Sequence, residues 1–267
     1  KASKIGNGQV KISITGEYGS YSLGSGLDLS GDESVFYDDT LYKEGLALME
    51  KGEYDKAIDK FKEQKTKDKA VFDYYKIQDK IDEANRAIDG MRIKAKSFKV
   101  GDVLRFGTYN DETIEWLVLD KKENKALMIS KDVLFNKAYN DKYSNVTWET
   151  CTLRSYLNND FYNTAFSKEE KNLIAKSKIE NPDNPEYGTE GGNDTEDYIF
   201  LLSIDEANRC FKTDKDRSCG NEWWLRSPGN YRDFAALVGR YGYISNYGYY
   251  VGDGDGVRPA LWLDLNQ

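Results

Sequence analysis

The residues best suited to chemistry lie close together near the C-terminal end of the sequence. The 26 residues from Asn230 to Asp255 hold six of the chain's 20 Tyr and five Gly, among scattered Asn, Asp, Ser and Arg. Lys and Glu, abundant elsewhere, do not occur in this stretch. A merely solvated surface uses Lys and Glu. A recognition surface uses Tyr, Ser, Gly, Asn and Arg, because a tyrosine ring gives a large amphipathic contact area at little rotamer cost. The chemistry this composition implies is non-covalent binding. Two apolar, fixed-looking stretches enclose it, WWLRSPG at 223–229 and GVRPALWL at 256–263.

Covalent chemistry finds less support. The chain contains no His, which removes Ser-His and Cys-His nucleophile pairs and most catalytic zinc sites. Cys151, Cys210 and Cys219 are too few for a disulfide scaffold. Cys210 and Cys219 bracket the polar loop FKTDKDRS and are read equally well as a disulfide or as two ordinary thiols. Asp253 and Asp255 in GDGDG have the two-residue spacing of a calcium loop, but lack its further oxygen ligands and distal Glu, so a turn is expected. Asn193, Asp194 and Asp197 in GGNDTED offer oxygen ligands with nothing to fix their geometry, and read as a solvated loop. No metal and no cofactor is expected. A hydrolase built on two carboxylates about 5–10 Å apart is a further reading, although none of the 46 acidic residues forms a pair that stands out.

Composition bounds the rest. The chain has 267 residues, 39% apolar and 31% charged, enough for one large domain or two smaller ones. Its net charge of −8 opposes a phosphate backbone, so nucleic acid is not an expected partner. No run of about 18 apolar residues occurs, so no membrane span is expected. The first residues, KASKIGNGQV, lack the apolar core of a signal peptide. Residue 1 is Lys rather than Met, so the chain reads as a processed or trimmed piece whose targeting or anchoring signals would lie upstream.

The positioning elements follow from periodicity. Residues 9–29 alternate around Gly breaks and predict a hairpin or two edge strands, followed by an acidic linker at 30–40. Residues 42–64 carry Leu46, Met49, Tyr54, Ala57, Ile58 and Phe61 at helical spacing around Gly52, which predicts two helices and a tight turn. A longer helix is expected over 72–95. From 97 onward short alternating runs predict strands, with a hairpin turn at 120–125. Residues 148–166 return to helical spacing with Thr147 as the expected N-cap. Ser167 with Glu170, and Ser203 with Glu206, are capping boxes. Residues 181–197 form a long polar loop, 197–211 a strand running into a short helix, and VRPALWLDL a final strand. The fold class is α+β, with a short β segment and linker at 1–35, a helical spacer at 36–96 and a main domain at 97–267.

The ordered set GDVLRFGTY, IEWLVLD, TWETCTLRSYLNNDFYNTAF, FLLSIDEA, WWLRSPG and GVRPALWL resembles a widespread uncharacterised domain family of Firmicutes over residues 100–267. That family looks like the C-type lectin fold in its formylglycine-generating-enzyme-like branch. YKEGLALMEKGEYDKAIDKF resembles a tetratricopeptide-like unit, with Gly45, Tyr54, Ala57 and Phe61 at the usual places. Such a unit often precedes this domain in cell-surface proteins. The resemblance implies a domain whose first and last strands are neighbours, with two helices and a loop-rich ligand face. It implies no formylglycine-generating activity, because the catalytic Cys pair has no counterpart near this end. Sugar binding through calcium is disfavoured too, since the Glu-Pro-Asn, Gln-Pro-Asp and Trp-Asn-Asp motifs are missing.

Within that branch the last stretch resembles the variable region of diversity-generating retroelement target proteins. There a reverse transcriptase miscopies template adenines, and Asn codons are the hot positions. Mutating their adenines cannot yield Lys, Glu, Gln, Met or Trp, and residues 230–255 contain none of these five. The resemblance implies a buried scaffold of Trp223, Trp224, Leu225, Ala235, Val238, Val251, Val257, Ala260 and Trp262. Arg226 and Arg258 would be structural, each needing carbonyl or carboxylate partners. The ligand-binding side chains would be Asn230, Tyr231, Arg232, Asp233, Arg240, Tyr241, Tyr243, Ser245, Asn246, Tyr247, Tyr249, Tyr250, Asp253 and Asp255. The function implied is a non-catalytic, receptor- or adhesin-like protein of the cell surface that binds a protein or glycan. An invariant interaction module of the cell envelope, docking through its helical spacer, is the alternative.

Overall fold

A computed structural model of the chain describes residues 2–5, 9–12, 38–94 and 96–266. They fall into two compact units, Lys1–Ile88 and Asp89–Gln267. The expected boundary at 96/97 lies a few residues further on.

In the first unit, β1 (Ala2–Ile5) and β2 (Gln9–Ile12) form an antiparallel hairpin. Of the expected 9–29 strand region, residues 9–12 form a strand, and residues 13–37 lie outside the described residues. Helices α1 (Thr40–Glu50) and α2 (Tyr54–Lys67) are joined at Gly52, whose φ of +74° favours glycine. Gly45 is buried against the ring of Phe61, which occupies the space a Cβ would need. The expected long helix is instead two, α3 (Lys69–Tyr74) and α4 (Ile77–Lys94). They break where Tyr75 stacks on Tyr42 at 4.6 Å and Lys76 takes a φ of +47°. Ala57, Ile58, Phe61, Phe72, Ile77, Ile81 and Ala84 pack into a small core.

The second unit is a mixed helix-and-sheet body whose antiparallel strands curl into a half-barrel. β3 (Val103–Tyr109), β4 (Glu112–Lys122) and β5 (Lys125–Ser130) form a meander. The hairpin turn between β4 and β5 is confined to Glu123 and Asn124, because both strands run further than their sequence suggests. β6 (Phe135–Ala138) follows. The 148–166 segment begins its helix only at Thr152: α5 (Thr152–Tyr156) is capped by the Cys151 side chain, which accepts from the Arg154 amide. Thr147 is not the N-cap; its carbonyl closes the turn before it by accepting from Thr150 and Cys151. A π-helical turn at Leu157–Phe161 leads into α6 (Tyr162–Ala165). Next come α7 (Lys168–Leu173), β7 (Ile174–Ala175), β8 (Ser177–Ile179), β9 (Thr195–Asp197), β10 (Ile199–Phe200), α8 (Ile204–Cys210) and α9 (Asp214–Arg217). Both expected capping boxes form, at α7 and at α8.

The C-terminal third builds β11 (Trp223–Pro228), β12 (Phe234–Val238), β13 (Ile244–Tyr250), β14 (Gly254–Val257) and β15 (Ala260–Asp264). One sheet has the order β10-β15-β5-β4-β3 with β7 added to β15; the other runs β13-β12-β11-β14-β6. The expected single strand VRPALWLDL therefore divides between two sheets at Arg258 and Pro259. Arg258 is buried there and donates to the carbonyls of Ser130, Lys131 and Arg217. Arg226, also buried, donates to the carbonyls of Glu180 and Leu201 and to the carboxylate of Glu206. Both arginines have the partners that burial demands. The last strand pairs with β5, while β3, the first strand of this unit, lies at the sheet edge. One expected scaffold residue departs from its role: Trp262 is half-buried, since it lies on the less covered face of β15. The other eight are fully buried, with Trp116, Trp148 and Phe161 beside them.

Candidate functional site

β13 is the edge strand of its sheet and carries Tyr247, Tyr249 and Tyr250. Its pairing with β12 slips between Ala235 and Leu237, so Asn246, Tyr247 and Gly248 stand against one residue of the partner. Such a bulge re-aims side chains. Gly248 makes it possible: its φ is +76°, and the Ala235 carbonyl occupies the place of a Cβ. The bulged backbone is held from outside. The Asn230 amide donates to the Tyr247 carbonyl at 2.8 Å. The buried Asn184 donates through Nδ2 to the carbonyls of Pro228 and Asn246, both at 2.8 Å.

All six tyrosines of 230–255 are exposed, between 44% for Tyr250 and 74% for Tyr241. Four of them gather around one buried ring. Phe234 lies 4.3 Å from Tyr250, 5.4 Å from Tyr231 and 5.7 Å from Tyr247, with Tyr249 next to Tyr250 at 6.0 Å. Two tyrosines from other loops join the cluster: Tyr187 against Tyr247 at 6.0 Å, and Tyr143 against Tyr250 at 6.1 Å. Polar contacts tie these loops to the segment. Arg232 pairs with Glu190 at 2.8 Å, Asn246 donates to Glu186 at 3.1 Å, and the Tyr143 hydroxyl donates to Asp253. The Asp253 carboxylate raises the Tyr143 hydroxyl above its ordinary pKa, and Glu186 does the same to Tyr187. Both hydroxyls therefore stay neutral donors at physiological pH.

The 14 sequence-derived site residues divide by place. Asn230, Tyr231, Arg232, Asp233, Asn246, Tyr247, Tyr249, Tyr250 and Asp253 belong to this face. Arg240, Tyr241 and Tyr243 sit at the β12–β13 turn, four or more residues from Tyr247 along the strand, roughly 13 Å at the usual rise. That turn is fixed separately: Arg217 donates to the Gly242 carbonyl at 2.8 Å, and Ser218 to the Arg240 carbonyl at 2.7 Å. Ser245 lies between, its hydroxyl accepting from the Gly248 amide. Asp255 stands in β14 opposite Lys137, where burial raises its carboxyl pKa and Glu222 adds to it. Sequence reasoning missed Phe234, Tyr143, Tyr187, Glu186 and Glu190. The loops NDKYSN and NPDNPEYG are rich in Asn and Asp around one Tyr each, but that composition marks a polar loop and does not place it against 230–253.

Elsewhere, a polar cleft of about 420 Å³ is lined in part by Glu149, Cys151, Arg154, Glu196 and Asp197. Asp197 is fully committed, accepting from Trp148 Nε1, Thr195 Oγ1 and Arg154 Nε. Burial pushes the Cys151 thiol up to about 12. Asn193, Asp194 and Asp197 turn to different partners: Glu149, the Asn181 amide with Lys178, and the three donors just named. Among the described residues no group of three or more acidic or thiol side chains could hold a metal ion. All three cysteines are free thiols. No described helix is long and apolar enough to cross a membrane.

Residues 123–265 match a family described as a domain of unknown function, DUF6273. The match spans more than half of the chain, and the chain belongs to this family. No curated protein and no solved structure matches it.

Proposed function

We propose that this is a non-catalytic, receptor- or adhesin-like binding protein of the cell surface, and that the Tyr-rich C-terminal face holds its ligand, a protein or a glycan. One observation carries the reading. Six tyrosines from one 26-residue segment all face solvent, while the residues interleaved with them, Phe234 to Val238 and Val251, are buried. A chain that exposes so many large rings from one segment keeps them for contact.

The scaffold reading is a C-type lectin-like domain. The expected pairing of the domain's first and last strands does not form, since β3 lies at the sheet edge and Ala260–Asp264 pairs with Lys125–Ser130; what favours the reading is the face itself. The exposed side chains gather on loops and an edge strand at one face. The segment is further read as the variable region of a diversity-generating retroelement. In its favour, side chains that adenine mutation of Asn codons can produce occupy the exposed positions, and the five it cannot produce are missing.

Sequencing the 3′ end of the gene and its neighbourhood across many cells tests diversification. A near-copy of codons 226–258 beside a reverse transcriptase gene, differing at template adenines, is the expected result. An invariant 3′ end without such a copy overturns diversification and leaves an invariant binding module.

A further inference from the structure

We infer that the partner of the tyrosine face is a basic protein segment, whose Lys or Arg side chains meet the rings and the surrounding carboxylates together. The inference rests on that face being the binding surface.

The rings are arranged to receive cations. Tyr187 and Tyr231 stand at 89° and 85° to Tyr247, and Tyr249 at 74° to Tyr250. In an edge-to-face pair, the ring that offers its edge keeps both of its π faces clear of its partner. The centre of a clear face is negative and attracts an ammonium or a guanidinium. Elsewhere the chain covers such faces with its own cations, as with Lys121 over Phe98 at 4.4 Å and Lys137 over Tyr156 at 4.8 Å. Among the described residues none of its cations lies over the rings of this face.

The charges around the rings favour the same partner. Glu186, Glu190 and Asp253 bring carboxylates to the face, and the guanidinium of Arg232 there is already held by Glu190. The chain as a whole adds a net charge of −8. A basic segment is steered in and gains both ion pairs and cation–π contacts. A neutral glycan would stack on the rings and donate hydroxyls to the carboxylates but gain no ion pair or cation–π contact, and an acidic one would be repelled.

The test selects a random-peptide library, displayed on phage, on the purified full chain at low salt. Selected peptides are then measured against two variants of exposed side chains, Glu186→Gln with Glu190→Gln, and Tyr247→Ala with Tyr250→Ala. Melting curves check that both are folded. The expected peptides are rich in Lys and Arg. Their affinity falls on the order of tenfold on either variant, and added salt weakens them. Peptides that need the tyrosines but are no richer in Lys and Arg overturn the inference and leave the face as the binding surface. Peptides indifferent to the tyrosine variant, or no enrichment over it, overturn the face itself.

Discussion

Phe234 and Tyr250 stand directly opposite one another on β12 and β13, with ring centroids 4.3 Å apart, the first ring buried and the second 44% exposed. Through this pair the exposed tyrosines are seated on the sheet rather than carried on free loops. Pre-seated rings lose little freedom on binding, which favours affinity. Phe234→Ala should cost about 3–5 kcal/mol, as a buried aromatic does. Tyr250→Ala should cost about 1 kcal/mol, mostly the ring contact. A double-mutant cycle by urea denaturation should give a coupling of about 0.5–1.5 kcal/mol. A coupling of zero would mean that the rings do not bear on each other.

Scaffold and face should separate cleanly in stability. Trp223 is fully buried beneath Arg258, whose guanidinium lies 4.7 Å from its ring. Trp223→Ala should cost about 3–5 kcal/mol, or prevent folding. Tyr241 is 74% exposed at the β12–β13 turn, and Tyr241→Ala should shift stability by under about 0.5 kcal/mol. Equal melting shifts for the two would refute the division between scaffold and face.

Much of this division was legible in the sequence, for physical reasons. Arg226 and Arg258 interrupt apolar strands, and a guanidinium there must find carbonyls or carboxylates; both do. Ser167 and Ser203 each precede a Glu by three residues, a local arrangement that needs no tertiary help, and both capping boxes form. What depends on distant partners was not legible. Tyr143 and Tyr187 join the face only because their loops fold against 230–253, which no local pattern encodes. The Gly248 bulge decides where Tyr247 points, and a Gly-rich strand has no alternation from which to read it. Trp262 looks like core by type, yet β15 leaves that side of the strand only partly covered.

Asn184 holds the face together and should be its most sensitive polar residue. It is buried, donates to the Pro228 and Asn246 carbonyls, and accepts from the amides of Glu186 and Tyr187. Asn184→Ala leaves these groups without partners, at about 1–3 kcal/mol for each buried one. A total loss on the order of 3 kcal/mol is expected. Hydrogen exchange should rise at Glu186 and Tyr187, while the β4–β5 hairpin keeps its protection. Unchanged exchange at those two amides would show that the loop is held by other contacts.

Cys151 makes stability depend on pH in the alkaline range. Burial pushes its thiol from an ordinary 9.0 up to about 12. Between these values the folded chain keeps a proton that the unfolded chain releases. The native state then binds more protons, so stability falls as pH rises through that window, by at most about 1.4 kcal/mol per pH unit. Below about 9 both states hold the proton and the contribution is flat. Cys151→Ser removes the titration, and its hydroxyl can take over the cap on the Arg154 amide. Urea denaturation at about pH 8 and about pH 10.5 should show wild type losing at least about 1 kcal/mol relative to this variant. Tyrosines and lysines away from Cys151 titrate in both chains and cancel in the difference, while burial holds Tyr139, next to the thiol, well above its ordinary value in either chain. Parallel pH profiles for the two would show that the thiol is not held neutral by the fold. The same burial should leave Cys151 unalkylated in the native chain at pH 8, and reactive once urea unfolds it.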